Sequence, residues 1–469
     1  MIRRKLVSLL LFAALPAFAQ NESRLHRDFR VEGDALKVCG QFSFGHLTDC
    51  GQTLVMGQPV HIALGSLSPK NGFGVGLAFV EHKNFPSEWR DNWDVDALAT
   101  TNGSWRAGGY MKAYRLPGGA IHMSLPQGPK SSTPPLFTSA PLFNFYSQSI
   151  SLKHVDYYGL GPGTSPAAHT TFGFSENITG ASAVLPLHAL AAARLSLAFE
   201  LNGRFPSVHS GPSGDQPHIN QLYSEADTPG LRRQTGYLQP AEGLHLEPSL
   251  LKGHLRLNYF GSFEQFFAPA DSAYSFRRWN ADFTHVIPLY SSLPVRISPY
   301  NGPDDCTGPG GKPPALPCPP VSATQKLEGS ITLRAFLSES IAGHSSRVPF
   351  YLMPTMGGSD INGVRMLPSY PDYRFRGPDL MLFQGAIEHS LGKLPLGALL
   401  SADGGKISLR RDDVSLDHFR HSFSAGITLH AGGLPLISFV YAWGGGEGSH
   451  PIATVSPTLL GGSARPSLF

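Results

Sequence analysis

Apolar and polar residues alternate with a period of two along most of this chain, in runs of about ten residues. In 254–264, Leu255, Leu257, Tyr259 and Phe263 fall on one side, and His254, Arg256, Asn258, Ser262 and Glu264 on the other. In 326–337 the apolar set is Leu327, Ile331, Leu333, Ala335 and Leu337, against Lys326, Glu328, Ser330, Thr332 and Arg334. The segments 194–202, 278–287, 381–388, 421–430 and 436–443 repeat the theme. Period two predicts strands with one wet face and one apolar face. No stretch reaches 18 apolar residues, so membrane-spanning helices are not predicted.

A soluble sandwich and a membrane barrel both ask for this pattern. Strand length separates them, because sandwich strands run to about 5–6 residues and tilted membrane strands to about 9–11. Aromatic residues at strand ends (Tyr441, Trp443, Trp279) sit where interfacial girdles belong. A Leu-Pro step recurs at Leu116-Pro117, Leu185-Pro186, Leu293-Pro294, Leu394-Pro395 and Leu434-Pro435. Proline cannot donate to a ladder, so these steps read as short periplasmic turns, with the longer connections outside. At a hairpin spacing of about 40 residues the chain accommodates roughly 16 strands, an even number with both termini in the periplasm. The expected fold is an all-β, transmembrane antiparallel barrel over 58–469. A final strand is expected at 451–460.

Composition supports a membrane environment. Of 469 residues only 15% are charged, with 10% aromatic and 52 Gly, and the net charge is +3. Soluble chains carry roughly 25% charge. The balance offers no basic field for nucleic acid. Residues 1–19 read as a secretory signal peptide: Arg3, Arg4 and Lys5, then an apolar run, then the small-x-small site Ala17-Phe18-Ala19. Cys39/Cys50 and Cys306/Cys318 form two local pairs, which in an oxidising compartment read as disulfides. Zinc is the competing reading, but the spacing within each pair is too wide for a Cys-x-x-Cys knuckle. The second pair lies in 299–320, which holds eight prolines and is no strand; turn parity puts it in the periplasm.

From about residue 274 the order of motifs is specific. Arg277-Arg278-Trp279 is followed by Val348-Pro349-Phe350-Tyr351, Met356-Gly357-Gly358-Ser359 and Tyr373-Arg374-Phe375-Arg376-Gly377. Then come Ala386-Ile387-Glu388 and Ala402-Asp403-Gly404-Gly405, with Tyr157-Tyr158-Gly159-Leu160-Gly161 upstream. This run resembles the bacterial surface antigen family, the barrel part of the BamA/TamA outer-membrane assembly superfamily, over about 150–469. The resemblance implies a 16-stranded barrel whose first and last strands meet at a weak seam. It also implies an extracellular loop, 353–376 here, folded into the lumen. The family's loop tip is Val-Arg-Gly-Phe/Tyr, whose Arg contacts acidic wall residues matching Glu388 and Asp403. Here the tip reads Val364-Arg365-Met366-Leu367, so Met366 replaces the family Gly and Leu367 the aromatic. Arg365 is the first candidate for the lock, with Arg374 and Arg376 as substitutes, and Gly357, Gly358, Phe375 and Gly377 shape the loop. The family's assembly factors carry periplasmic receptor modules of about 75 residues. The segment 20–57, with its Cys39–Cys50 loop, is too short for one, so a periplasmic helper protein is expected.

No Gly-x-Ser-x-Gly or His-Glu-x-x-His signature occurs. His254 and His430 take lumen-facing strand positions, and Asp304-Asp305 reads as a solvated pair. No catalytic residue, cofactor or metal is expected. The reading is a monomeric barrel in the outer membrane of a Gram-negative bacterium, in contact with its lipid, that assists insertion or translocation of proteins or lipids. The alternative is a passive channel for small solutes.

Overall fold

The computed structural model describes residues 23–40, 54, 59–85, 89–115, 141–187, 194–211, 216–290, 329–391, 396–431 and 434–455. The signal segment, Cys50, the Cys306–Cys318 segment and the tail beyond Val455 lie outside them. A helix, α1 (Arg24–Leu36), comes first, and a single 3-10 turn over Lys37–Gly40 follows it. Cys39 is disulfide-bonded.

Sixteen antiparallel strands form a nearly closed barrel. The first eight are β1 (Val60–Ser66), β2 (Phe73–Asn84), β3 (Trp89–Thr100), β4 (Trp105–Arg115), β5 (Leu142–Tyr157), β6 (Thr170–Pro186), β7 (Leu195–His209) and β8 (Tyr237–Leu246). The second eight are β9 (Leu255–Phe266), β10 (Phe276–Tyr290), β11 (Gly329–Ala342), β12 (Asp379–Ser390), β13 (Leu396–Ser408), β14 (Arg420–Ala431), β15 (Leu434–Trp443) and β16 (His450–Val455). Each strand pairs with the next in sequence, and Ser249–Leu250 prolongs β8 along β9. The first and last strands are the shortest of the sixteen, at 7 and 6 residues, and among the described residues no ladder joins them.

The alternation acts as expected. On β12, Met381, Phe383 and Ile387 face outward, while Gln384 and Glu388 face the lumen on the opposite parity. Val75, Leu77, Phe199, Leu201, Phe283, Leu333, Phe439 and their neighbours leave an apolar band exposed around the barrel, with Trp93, Trp279, Tyr441 and Trp443 among its aromatics. Such a band suits hydrocarbon, where strand-to-strand ladders satisfy the backbone. His254 departs from the expectation. It follows the turn Leu251–Gly253 that precedes β9 and is exposed, so it takes no strand position.

Strand parity fixes the two ends. Pro186 closes β6 and Leu434-Pro435 opens β15, both at the end where α1 and the start of β1 lie. Tyr290 and Gly329, which flank the proline-rich cysteine segment, lie at that same end. The connections at the opposite end, including 158–169, 216–236 and 343–378, converge on one another. Buried aromatics of these connections and of the adjoining strand ends pack together: Phe350 lies 5.2 Å from both Tyr157 and Phe172, and Phe266 stacks on Phe276 at 4.3 Å. The core of this protein therefore sits inside the far mouth of the barrel.

Candidate functional site: a loop held on the inner wall

The connection 343–378 between β11 and β12 turns inward instead of standing clear of the mouth. Its neck is a two-residue ribbon, Thr355–Met356 against Phe375–Arg376. Two glycines then reverse the chain, Gly357 at φ +109° and Gly358 at φ +59°. A Cβ on Gly357 would meet the Arg374 side chain at 2.6 Å and the Pro371 carbonyl at 2.9 Å, so a side chain fits neither the dihedral nor the space. Beyond them the tip is its own small hairpin. Ser359 bridges Arg365, and the Asp360 carboxylate accepts the N–H groups of Asn362 and Val364, both at 2.8 Å.

The tip rests on β12, β13 and β14. Gln384 donates to the Arg365 carbonyl at 3.2 Å, Asp403 accepts the Leu367 N–H at 3.2 Å, and the Ser422 hydroxyl accepts the Ser369 N–H at 2.9 Å. Gln384 and Asp403 are direct cross-strand partners, which gives the tip a two-residue seat at mid-wall. The Arg365 side chain is 5% exposed, and its charge lies in the field of Asp403 first and Glu388 second. Glu388 also accepts from the Thr428 hydroxyl at 3.2 Å. The sequence-nominated Arg365, Glu388 and Asp403 thus face one another across the lumen side of the wall.

Arg374 and Arg376 go elsewhere. Arg374 donates to Glu447 in the β15–β16 connection at 2.7 Å and to Thr164 at 2.7 Å, and lies over the rings of Tyr158 and Phe375. Arg376 donates to the Phe350 carbonyl at 2.8 Å, while its own carbonyl accepts the Gly161 N–H at 2.7 Å. One arginine therefore ties the loop to two other connections, and the other ties its neck to the Tyr157–Gly161 motif. Gly377 lets the neck pass β13, since a Cβ there would lie 2.6 Å from Ile407 and 2.8 Å from the Ser408 carbonyl.

Sequence reading missed the apolar bed under the tip. Met356, Val364, Met366, Leu367, Tyr370 and Phe375 pack against Leu380, Leu382 and Ile407. Those three wall residues sit at lumen parity, where alternation calls for polar side chains. The break in alternation was the available signal. Leu367 is fully buried at φ +51°, and Gly405 makes room for Met356, whose sulfur would lie 2.6 Å from a Cβ there. The two tip substitutions therefore serve a greasy seat, with Leu367 filling the space against the wall.

The seat is also the end of a polar relay along the inner wall. Arg204 grips Glu176 at 2.8 and 3.0 Å and reaches Gln239 at 3.1 Å; Gln239 donates to Glu264 at 2.8 Å, and Asn280 donates to Glu264 at 2.5 Å. Two residues along β10, Asp282 takes Arg334 through contacts of 2.6 and 2.9 Å, and Arg334 donates to Gln384 at 3.2 Å. Paired in this way, buried charges keep hydrogen-bond partners while the outer face stays apolar. Among the described residues no group of three or more metal-ligating side chains could hold an ion.

No family model and no curated relative matches the chain. Among solved structures it is similar to BamA from Haemophilus ducreyi lacking POTRA domains 1-3, at 10% identity and TM-score 0.46, over 85% of this chain and 70% of that one. It is also similar to CdiB from Acinetobacter baumannii, at 10% identity and TM-score 0.43, over 82% of this chain and 56% of that one. CdiB from Escherichia coli gives 13% identity and TM-score 0.45, over 84% and 59%. The chain spans less than two thirds of either CdiB. The strand count and registers given above stand on this chain's own ladders.

Proposed function

We propose that this chain is an integral barrel of a Gram-negative outer membrane that assists insertion or translocation of proteins or lipids. It is not a standing pore in this reading. The observation that carries it is the pairing of two features: a lumen occupied to mid-wall by the 343–378 loop, and, among the described residues, no ladder between β1 and β16. A passive channel needs an open lumen, and here the loop occupies it. Arg365, Asp403 and Glu388 are the lock in this reading, and Arg374 and Arg376 keep the loop attached to the cap. A desolvated guanidinium between two carboxylates favours one loop position over its alternatives. The reading involves no bound cofactor.

Planar-bilayer recording of the refolded protein tests it. The expected result is a mostly closed barrel that opens to a wide, steady conductance when residues 353–376 are deleted. A steady open pore in the intact protein would establish the passive channel instead.

A further inference from the structure

The helix α1 presents an arrangement that the loop and lumen do not explain. Leu25, Phe29, Glu32 and Leu36 share one helical face, at spacings of four, three and four. On that face Leu25 and Phe29 are exposed (42% and 45%), Leu36 is half-buried, and the carboxylate is the buried member, with Glu32 at 5%. An ordinary amphipathic helix does the reverse. The Glu32 carboxylate accepts the backbone N–H of Val60, the first residue of β1, at 3.2 Å.

The direction of that N–H matters. Val80 donates to the Pro59 carbonyl across the β1–β2 ladder at 2.7 Å, which makes Pro59 and Val80 a hydrogen-bonded pair. In an antiparallel ladder the next residue points its N–H and C=O away from that partner. The Val60 N–H therefore points away from β2 toward the β16 side, along an edge that no ladder covers among the described residues. An unpaired edge is a template for any extended chain and needs a cover.

We propose that α1 is an interfacial helix that closes the seam mouth: Glu32 occupies the first free donor of the β1 edge, and the Leu25/Phe29/Leu36 face lies in the lipid headgroup layer beside it. The apolar face then continues the outer apolar band onto the membrane surface, which suits a helix lying in the interface plane. Burial raises the Glu32 carboxyl above its ordinary range, against the opposing pull of the Val60 hydrogen bond, consistent with a group held away from bulk water. A strand that adds to the β1 edge has to displace Glu32 first. This assignment rests on the barrel lying in a membrane, and its test reads helix position and edge protection, not transport.

The full-length protein is refolded into vesicles of phosphatidylethanolamine and phosphatidylglycerol carrying a Phe29→Trp reporter. Lipids brominated near the glycerol are expected to quench the reporter more than lipids brominated at the chain ends. Hydrogen exchange of the peptide spanning the start of β1 is compared in Glu32→Ala and Glu32→Gln. The expected result is about tenfold faster exchange in Glu32→Ala, the equivalent of about 1.4 kcal/mol, with partial retention in Glu32→Gln, whose amide oxygen still accepts. A reporter that brominated lipid does not quench, or exchange unchanged by Glu32→Ala, overturns the proposal. Either result leaves the bilayer recordings, and hence the proposed function, to stand or fall separately.

Discussion

Asp403, on the inner wall, accepts the backbone N–H of Leu367 from a loop 36 residues earlier in the chain. The same carboxylate attracts the Arg365 guanidinium two residues before Leu367. One side chain therefore holds the loop backbone and lies in the field of the tip's charge, and its neighbour Gln384 holds the Arg365 carbonyl. Asp403→Ala should leave a buried N–H and a buried cation unmatched, at a cost of about 1–3 kcal/mol to loop docking. The barrel ladders are untouched, so the folded band on an unheated gel should persist but convert to the unfolded form at a lower temperature. Unchanged heat stability in Arg365→Ala, Glu388→Ala and Asp403→Ala alike would remove the lock.

Gly405 tests the apolar half of the seat separately. Its missing side chain leaves room for Met356, and a Cβ would also press on the Met381 carbonyl at 3.1 Å and on Leu382. Gly405→Val should therefore lift the tip without changing any charge. The expected outcome is open-state conductance comparable to that of Asp403→Ala. If Gly405→Val stays closed while Asp403→Ala opens, charge alone holds the loop.

The alternation that predicted the barrel was legible because lipid and lumen impose opposite demands on successive residues. The residues proposed as the lock were legible only by resemblance, since nothing in local sequence places Arg365 near Asp403. Leu380, Leu382 and Ile407 carried a readable sign, being apolar where the lumen should be polar, but its meaning depends on which loop comes to lie over them. The helix α1 was missed for a physical reason. Its buried residue is Glu32 while Leu25 and Phe29 are exposed, so its logic appears only beside the Val60 N–H at the edge of β1. The division of labour between Arg374 and Arg376 was likewise invisible, because their partners Glu447, Thr164 and Phe350 lie in three different connections.

That division predicts different phenotypes. Arg374→Ala removes bonds to Glu447 and Thr164, both in other connections at the far end, and should loosen the cap against protease cleavage with little effect on the tip. Arg376→Ala leaves the Phe350 carbonyl without its donor inside the neck, where burial is complete, and should free the whole loop. Limited proteolysis from the far side, read alongside conductance, separates the two. Equal effects on both readouts would show that the connections act as one block.

Asp372, above the strands in the same loop, gives the last test. Burial holds its carboxyl above the ordinary aspartate range; the Ser359 N–H at 2.8 Å and the charges of Lys70 and His450 pull it down, and Asp156 adds to the rise. The folded loop therefore prefers the protonated acid. The stabilisation this supplies is fully present below the ordinary aspartate value and is lost as pH rises through the raised one. Loop release, followed by protease cleavage within 353–376, should accelerate across that interval and level off above it. In Asp372→Asn the side chain keeps a carbonyl to accept the Ser359 N–H but no longer titrates, so the acceleration should vanish while the loop remains docked. A pH response that survives in Asp372→Asn would assign it to another group at the mouth, with the buried carboxylate of Asp156 and its partners His154 and His169, each 2.9 Å away, the first to examine.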